Sequence, residues 1–167
     1  NNLKQAAKTI NFLTEHGISS YGELESKLTA LSAWRDTAHA EIKRIESRSA
    51  ELALVMKHAG TYRQLKPLYE RYHKSNNKEK FLRGHESEII LFEATTRELK
   101  RLGAVPLPTT ESMKTELANL NAEKERLLAE YKAARTEAQE YDTVKQNVDA
   151  LLAVPKEQEQ QRRHELE

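Results

Sequence analysis

The sequence predicts an all-α fold: a long antiparallel coiled-coil hairpin, with a short N-terminal helix at its base and a small helical cap at the far end. Three observations lead there. Of the 167 residues, 38% are apolar and 32% charged, against about 45–50% and 25% in ordinary globular domains. Gly (5) and Pro (4) are scarce, which leaves few of the turns that a sheet protein needs. Two stretches space their apolar residues alternately by four and three, the period of a coiled-coil seam. A chain so polar and so regular buries a strip of core and not a sphere.

The first element is a short amphipathic helix in residues 1–17. Leu3, Ala6, Ala7, Ile10 and Leu13 follow helical spacing, and Gly17 after His16 is a C-terminal stop. Ser20 and Glu23 then have the spacing of a capping box. The arm that starts there, 20–59, carries the seam Leu24, Leu28, Leu31, Arg35, Ala38, Ile42, Ile45, Ser49, Leu52, Met56 and Ala59. Residues 109–153 carry a second seam: Met113, Leu117, Leu120, Lys124, Leu127, Tyr131, Ala134, Ala138, Tyr141, Lys145, Val148 and Leu152. Both arms are roughly 55 Å long at 1.5 Å per residue. Equal arms in one chain argue for an intramolecular hairpin with Leu24 near Leu152 and Ala59 near Met113. A parallel homodimer is the rival. Arg35, Ser49, Lys124 and Lys145 interrupt the seams; they could mark a binding surface, but polar seam residues commonly fix register, and that reading is preferred. In this register Ser49 and Lys124 share a layer.

Residues 60–108 form the cap. Gly60 weakens the helix, and Pro67 predicts a kink or break. Ser75-Asn76-Asn77 is a loop, with Asn76 and Glu79 spaced as a cap. A further helix over about 78–102 uses Phe81, Ile89, Phe92, Leu99 and Leu102 and stops at Gly103. Pro106 and Pro108 forbid its continuation, and Thr109 is placed to cap the returning arm. After Pro155 the run KEQEQQRRHELE has no apolar period, so 154–167 is expected to be a flexible tail.

Several function classes are set aside by composition. There is no cysteine, hence no thiolate metal site, thiol nucleophile or disulfide. No apolar run approaches the roughly 18 residues of a membrane span. The sequence opens at Asn1 in helical pattern without an initiator Met, as an excised fragment would. The six histidines (His16, His39, His58, His73, His85 and His164) form no HxH or HxxxH pair, and a metal site needs three or four convergent ligands. No phosphate-binding glycine loop and no nucleophile elbow occurs. No catalytic residue, metal site or cofactor is therefore expected.

One cluster stands out. Lys57, Arg63, Lys66, Arg71, Lys74, Lys78, Lys80 and Arg83 face only Glu70 and Glu79 in that stretch, +6 in a chain of total charge +1. Tyr62, Tyr69 and Tyr72 interleave with them. Cationic side chains contact phosphates, and aromatics stack on exposed bases, which makes these eight residues DNA-contact candidates. The plainer reading places the tyrosines in the cap's core and leaves the charges solvated, because helical spacing puts 62, 65, 69 and 72 on one face.

Four stretches, LKQAAKTINFLTEHGI (3–18), YRQLKPLYERYHKSNNKEKFLRGHESEIILFEA (62–94), LKRLGAVPLPT (99–109) and EYDTVKQNVDALL (140–152), together resemble the region C-terminal to the nuclease domain in relaxases. These are the mobilisation nucleases of conjugative and mobilisable elements in Gram-positive bacteria. The resemblance implies a parent enzyme of the bacterial cytoplasm that nicks DNA at a transfer origin and stays joined to the strand through a tyrosine. It also implies a metal-holding histidine cluster in the nuclease domain. Neither maps onto this chain, where no HxH occurs and no tyrosine lies in a matching context. The chain is thus expected to be a non-catalytic interaction segment whose partner is DNA or another transfer protein. A structural spacer or dimerisation coiled coil is the alternative.

Overall fold

The computed structural model describes residues 1–166, with the backbone alone described over 154–159. It contains α1 (Asn2–Glu15), α2 (Tyr21–Lys74), α3 (Lys78–Arg101) and α4 (Thr110–Glu165). There is no strand among the described residues. The helix α3 is interrupted at His85, whose φ of −136° and ψ of 27° are non-helical, so it comprises two helical segments. The chain is thus all-α, with α2 and α4 packed antiparallel. It divides into two compact units, residues 1–41 with 126–167, and residues 42–125.

In the first unit, α1 lies against α2 and α4 around a buried cluster of Leu24, Tyr141 and Val144. Phe12, Leu13, Ile18, Leu28, Leu31 and Val148 pack on it. The Tyr21 hydroxyl donates to Asp149 Oδ1 at 2.6 Å, and Lys27 meets Glu137 at 3.4 Å. As residue numbers rise on α2 they fall on α4, which is the antiparallel order. The register differs from equal-arm counting, however. Leu152 is 58% exposed, and the α4 residues gathered around Leu24 end at Val148, about one turn earlier. The arm-length argument left out α1, whose Phe12, Leu13 and Ile18 fill the layer assigned to Leu152.

The face that α1 buries also differs from expectation. Leu3 and Ile10 are exposed, while Thr9 is 3% exposed and Phe12 sits edge-on to the Tyr141 ring with centroids 5.1 Å apart. Burying a phenyl ring against another ring is worth more than burying Ile10, so the aromatic contact sets the rotation. The Thr9 hydroxyl stays satisfied, donating to Gln5 O at 2.9 Å and accepting from Asn147 at 3.4 Å. Gly17 (φ +66°) stops the helix, because its N–H reaches Thr14 O and the Ile18 N–H reaches Leu13 O. Those two bonds satisfy carbonyls the helix end would otherwise orphan. Ser20 Oγ then accepts from the Glu23 N–H at 3.1 Å. The Glu23 carboxylate reaches one residue further back than a standard capping box, to the Ser19 N–H at 2.7 Å. The Ser19 N–H, together with the Ser19 hydroxyl, donates to the carboxylate and holds the Glu23 pKa below the usual value.

In the second unit, α2, α3 and α4 contribute Ile42, Ile45, Leu52, Val55 and Ala59, then Ile89, Phe92 and Leu99, then Met113 and Leu120 to the buried set. Burying a Leu or Ile fully is worth about 1.5–3 kcal/mol. Arg48 forms a two-pronged ion pair with Glu116 at 2.7 and 3.1 Å, tying α2 to α4. It lowers the Glu116 pKa and raises that of Arg48. Lys124 keeps its stem half-buried at the seam and carries its ammonium to Glu46, 3.2 Å away. Ser49, half-buried, is the other polar interruption in this unit.

Three boundaries depart from the sequence reading. Neither Gly60 nor Pro67 breaks α2, which continues to Lys74. Both Pro67 and Arg63 lie at exposed positions, so the carbonyl that proline deprives of its donor can be hydrated. The cap of α3 is Asn77, not Asn76, and its side chain accepts from the Lys80 N–H at 3.1 Å. Finally, α4 runs through Pro155 to Glu165 where an irregular tail is expected. The run of Lys, Glu, Gln and Arg after that proline is made of good helix formers. Residue 167 lies outside the described residues. Elsewhere expectation and structure agree: Thr109 Oγ accepts from the Ser112 N–H at 3.1 Å to start α4. Gly103 (φ +70°) ends α3 with the same pair of bonds seen at Gly17, Ala104 N–H to Leu99 O and Gly103 N–H to Lys100 O.

Two glycines test these assignments with opposite signs. A Cβ at either Gly60 or Gly103 would meet no atom within 4 Å, so only backbone preference decides. Gly103→Ala forces an L side chain into the left-handed region and should cost about 1–2 kcal/mol. Gly60→Ala, inside a continuous helix, should stabilise by about 0.5–1 kcal/mol. Urea denaturation of the two variants measures both. A destabilising Gly60→Ala would contradict the unbroken α2.

Candidate nucleic-acid interface

The basic cluster lies in the second unit, where the last turns of α2 meet the first turns of α3 across residues 75–77. Its scaffold is aromatic. Tyr62 and Tyr69 both stack on the buried Phe92, with ring centroids at 5.0 and 4.3 Å. The series continues through Tyr69–Tyr72 and Tyr72–Phe81, each at 6.0 Å, and Phe81–His85 at 4.6 Å. His73 stands edge-on to Tyr69 at 4.6 Å. Spacing on α2 accounts for this: Tyr62, Leu65, Tyr69 and Tyr72 share one face, and none of the four is exposed. Desolvation, with help from the Glu93 carboxylate 3.4 Å from its hydroxyl, raises the pKa of Tyr69. The tyrosines build a core, as the plainer sequence reading has it.

All eight candidate residues, Lys57, Arg63, Lys66, Arg71, Lys74, Lys78, Lys80 and Arg83, occupy exposed positions. Their roles separate by chemistry. Arg63 donates to Pro108 O at 2.8 Å and to Thr110 Oγ at 2.9 Å, and so joins α2 to the turn that starts α4. Arg71 lies over the Phe81 ring at 5.7 Å, and Lys66 over Tyr62 at 5.9 Å. Arg83 Nε donates at 3.4 Å to Glu79 O one turn back. Among the described residues no hydrogen bond, ion pair or ring contact holds the side-chain ammonium of Lys57, Lys74, Lys78 or Lys80. Lys78 and Lys80 crowd the first turn of α3, where the helix dipole is already positive. Sequence reasoning missed that Arg63 is structural. The signal available was only its spacing from Pro108, which needs the fold to interpret.

Comparison of the chain with protein-family models, curated proteins and solved structures finds no match. Among the described residues no group of three or more His, Cys, Asp or Glu could hold a metal ion. No described helix is long and apolar enough to cross a membrane.

The split between structural and free cations is directly measurable. Arg63→Ala removes two hydrogen bonds between segments and should lower stability by about 1–2 kcal/mol. Lys74→Ala, Lys78→Ala and Lys80→Ala should each stay within about 0.5 kcal/mol of the parent chain. Thermal unfolding followed by circular dichroism gives the comparison. An Arg63→Ala variant as stable as the lysine variants would contradict its structural assignment.

Proposed function

We propose that this chain is a non-catalytic helical interaction segment of a DNA-transfer relaxase, and that it positions the nuclease through contacts with DNA. The observation that carries this reading is the group of exposed, unpaired lysines at the turn between α2 and α3. Such a group costs self-repulsion unless an anion meets it. The resemblance of residues 3–18, 62–94, 99–109 and 140–152 to the region following the nuclease domain of relaxases supplies the anion's identity, the DNA that such enzymes process. Another protein of the transfer apparatus is the alternative partner within the same reading.

A structural spacer or dimerisation coiled coil is the second reading, and one observation favours it. On α1, Leu3, Ala7 and Ile10 repeat at four-three spacing on an exposed stripe, with Leu3 88% exposed. That is the pattern of a helix able to take a further helical partner.

The two readings differ in one experiment. With Lys74→Glu, Lys78→Glu, Lys80→Glu and Arg83→Glu combined, duplex or single-stranded DNA binding should be abolished while helicity is unchanged. Binding by the parent chain should fall steeply with salt, since released counterions drive phosphate contacts, with a log–log slope of roughly −0.9 per phosphate on duplex DNA. Undiminished affinity in the quadruple variant, or no affinity in the parent chain at low salt, would leave the spacer reading in place.

A further inference from the structure

We infer that the basic turn recognises the phosphate backbone of nucleic acid and takes no information from the bases. This deepens the DNA-binding reading above and rests on it. Two kinds of side chain that grip bases strongly, aromatic rings and guanidinium forks, are largely committed within the chain here. The first is the aromatic platform on which an unpaired base stacks. Tyr62 has Phe92 on one side and the Lys66 ammonium over its ring. Tyr69 contacts Tyr72, His73 and Phe92. Phe81 lies between Tyr72 and His85 under the Arg71 guanidinium. A base would have to compete with these neighbours for a ring.

The second kind is the guanidinium fork, which pairs with the O6 and N7 of guanine in the major groove. Of the three arginines in the cluster, Arg63 spends both terminal nitrogens on Pro108 and Thr110, Arg71 lies against the chain over Phe81, and Arg83 turns its Nε back to Glu79 O. Among the described residues, the cations of the cluster with no side-chain contact are Lys57, Lys74, Lys78 and Lys80, and each is an ammonium on a flexible stem. An ammonium acts on phosphate as a point charge and needs no fixed geometry. Three of these lysines flank the single turn at 75–77, so they offer charge without a preformed edge for a base. The chemistry of this surface matches an anionic strand of any sequence.

The test uses the full chain at low salt and four probes of equal length. These are a mixed-sequence duplex, a scrambled duplex, the corresponding single strand, and that strand built from abasic nucleotides. The two duplexes should bind within about twofold of each other, and removing the bases should change the single-strand Kd by less than about threefold. Stacking of even one base would make that change about fivefold or more. A tenfold loss on the abasic strand, or a tenfold preference for one duplex, would overturn the backbone-only assignment and leave DNA binding intact. No binding to any of the four probes would overturn both readings, as would capture by phosphatidylserine vesicles without DNA binding.

Discussion

A chain with 38% apolar residues can cover only a narrow stripe of each helix, and that scarcity governs everything else in this structure. A helix with one apolar stripe is unstable in water unless the stripe meets another. The stripes of α2 and α4 are each built on a four-three repeat, so the two helices can pair along their length and bury the repeat between them. All eleven seam positions of α2, from Leu24 to Ala59, are removed from full exposure, and the polar members Arg35 and Ser49 are half-buried with them. Elements without a seam of their own attach where an aromatic side chain gives them enough area. Phe12 anchors α1 to Tyr141, and Phe92 anchors α3 to Tyr62 and Tyr69.

Apolar stripes specify pairing but not register, since sliding by one heptad preserves the pattern. Polar contacts supply what the stripe lacks. In the second unit, Arg48–Glu116 and Lys124–Glu46 fix α2 against α4. In the first, Tyr21–Asp149, Lys27–Glu137 and the Thr9–Asn147 contact do the same work. These pairs are partly solvated, so each contributes at most about 1 kcal/mol. Their value lies in excluding alternatives: in a shifted register Arg48 would lose both prongs of its carboxylate. Lys124 shows how a charged seam residue is accommodated, with the stem covering apolar neighbours and the ammonium at the edge.

What the sequence made legible followed the physics of short range. Both seams apart from Leu152, the glycine stops at Gly17 and Gly103, the Ser20 and Thr109 caps and the shared face of Tyr62, Tyr69 and Tyr72 are local patterns, and each is present in the structure. What could not be read depended on tertiary contact. The rotation of α1 turns on Phe12 meeting a ring 129 positions away, and the shifted end of the register turns on α1 filling a layer. Pro67 misled because helix-breaking is a local rule, while exposure of the site and packing on either side decide whether it operates. The eight cations were visible as a cluster. Only the fold separates Arg63, which holds two segments together, from lysines that hold nothing.

The central structural claim is that α2 and α4 of one chain satisfy each other's seams. The native chain contains no cysteine, so Glu46→Cys with Lys124→Cys places the only two thiols at facing positions on α2 and α4, whose native side-chain ends meet at 3.2 Å. Treatment with a short bismaleimide, followed by intact mass and peptide mapping, reports which helices face one another. The account predicts a link between positions 46 and 124 within one chain, formed in the same yield across a wide range of protein concentration. A product joining two chains that grows with concentration would contradict it, because the seams would then be paired between molecules.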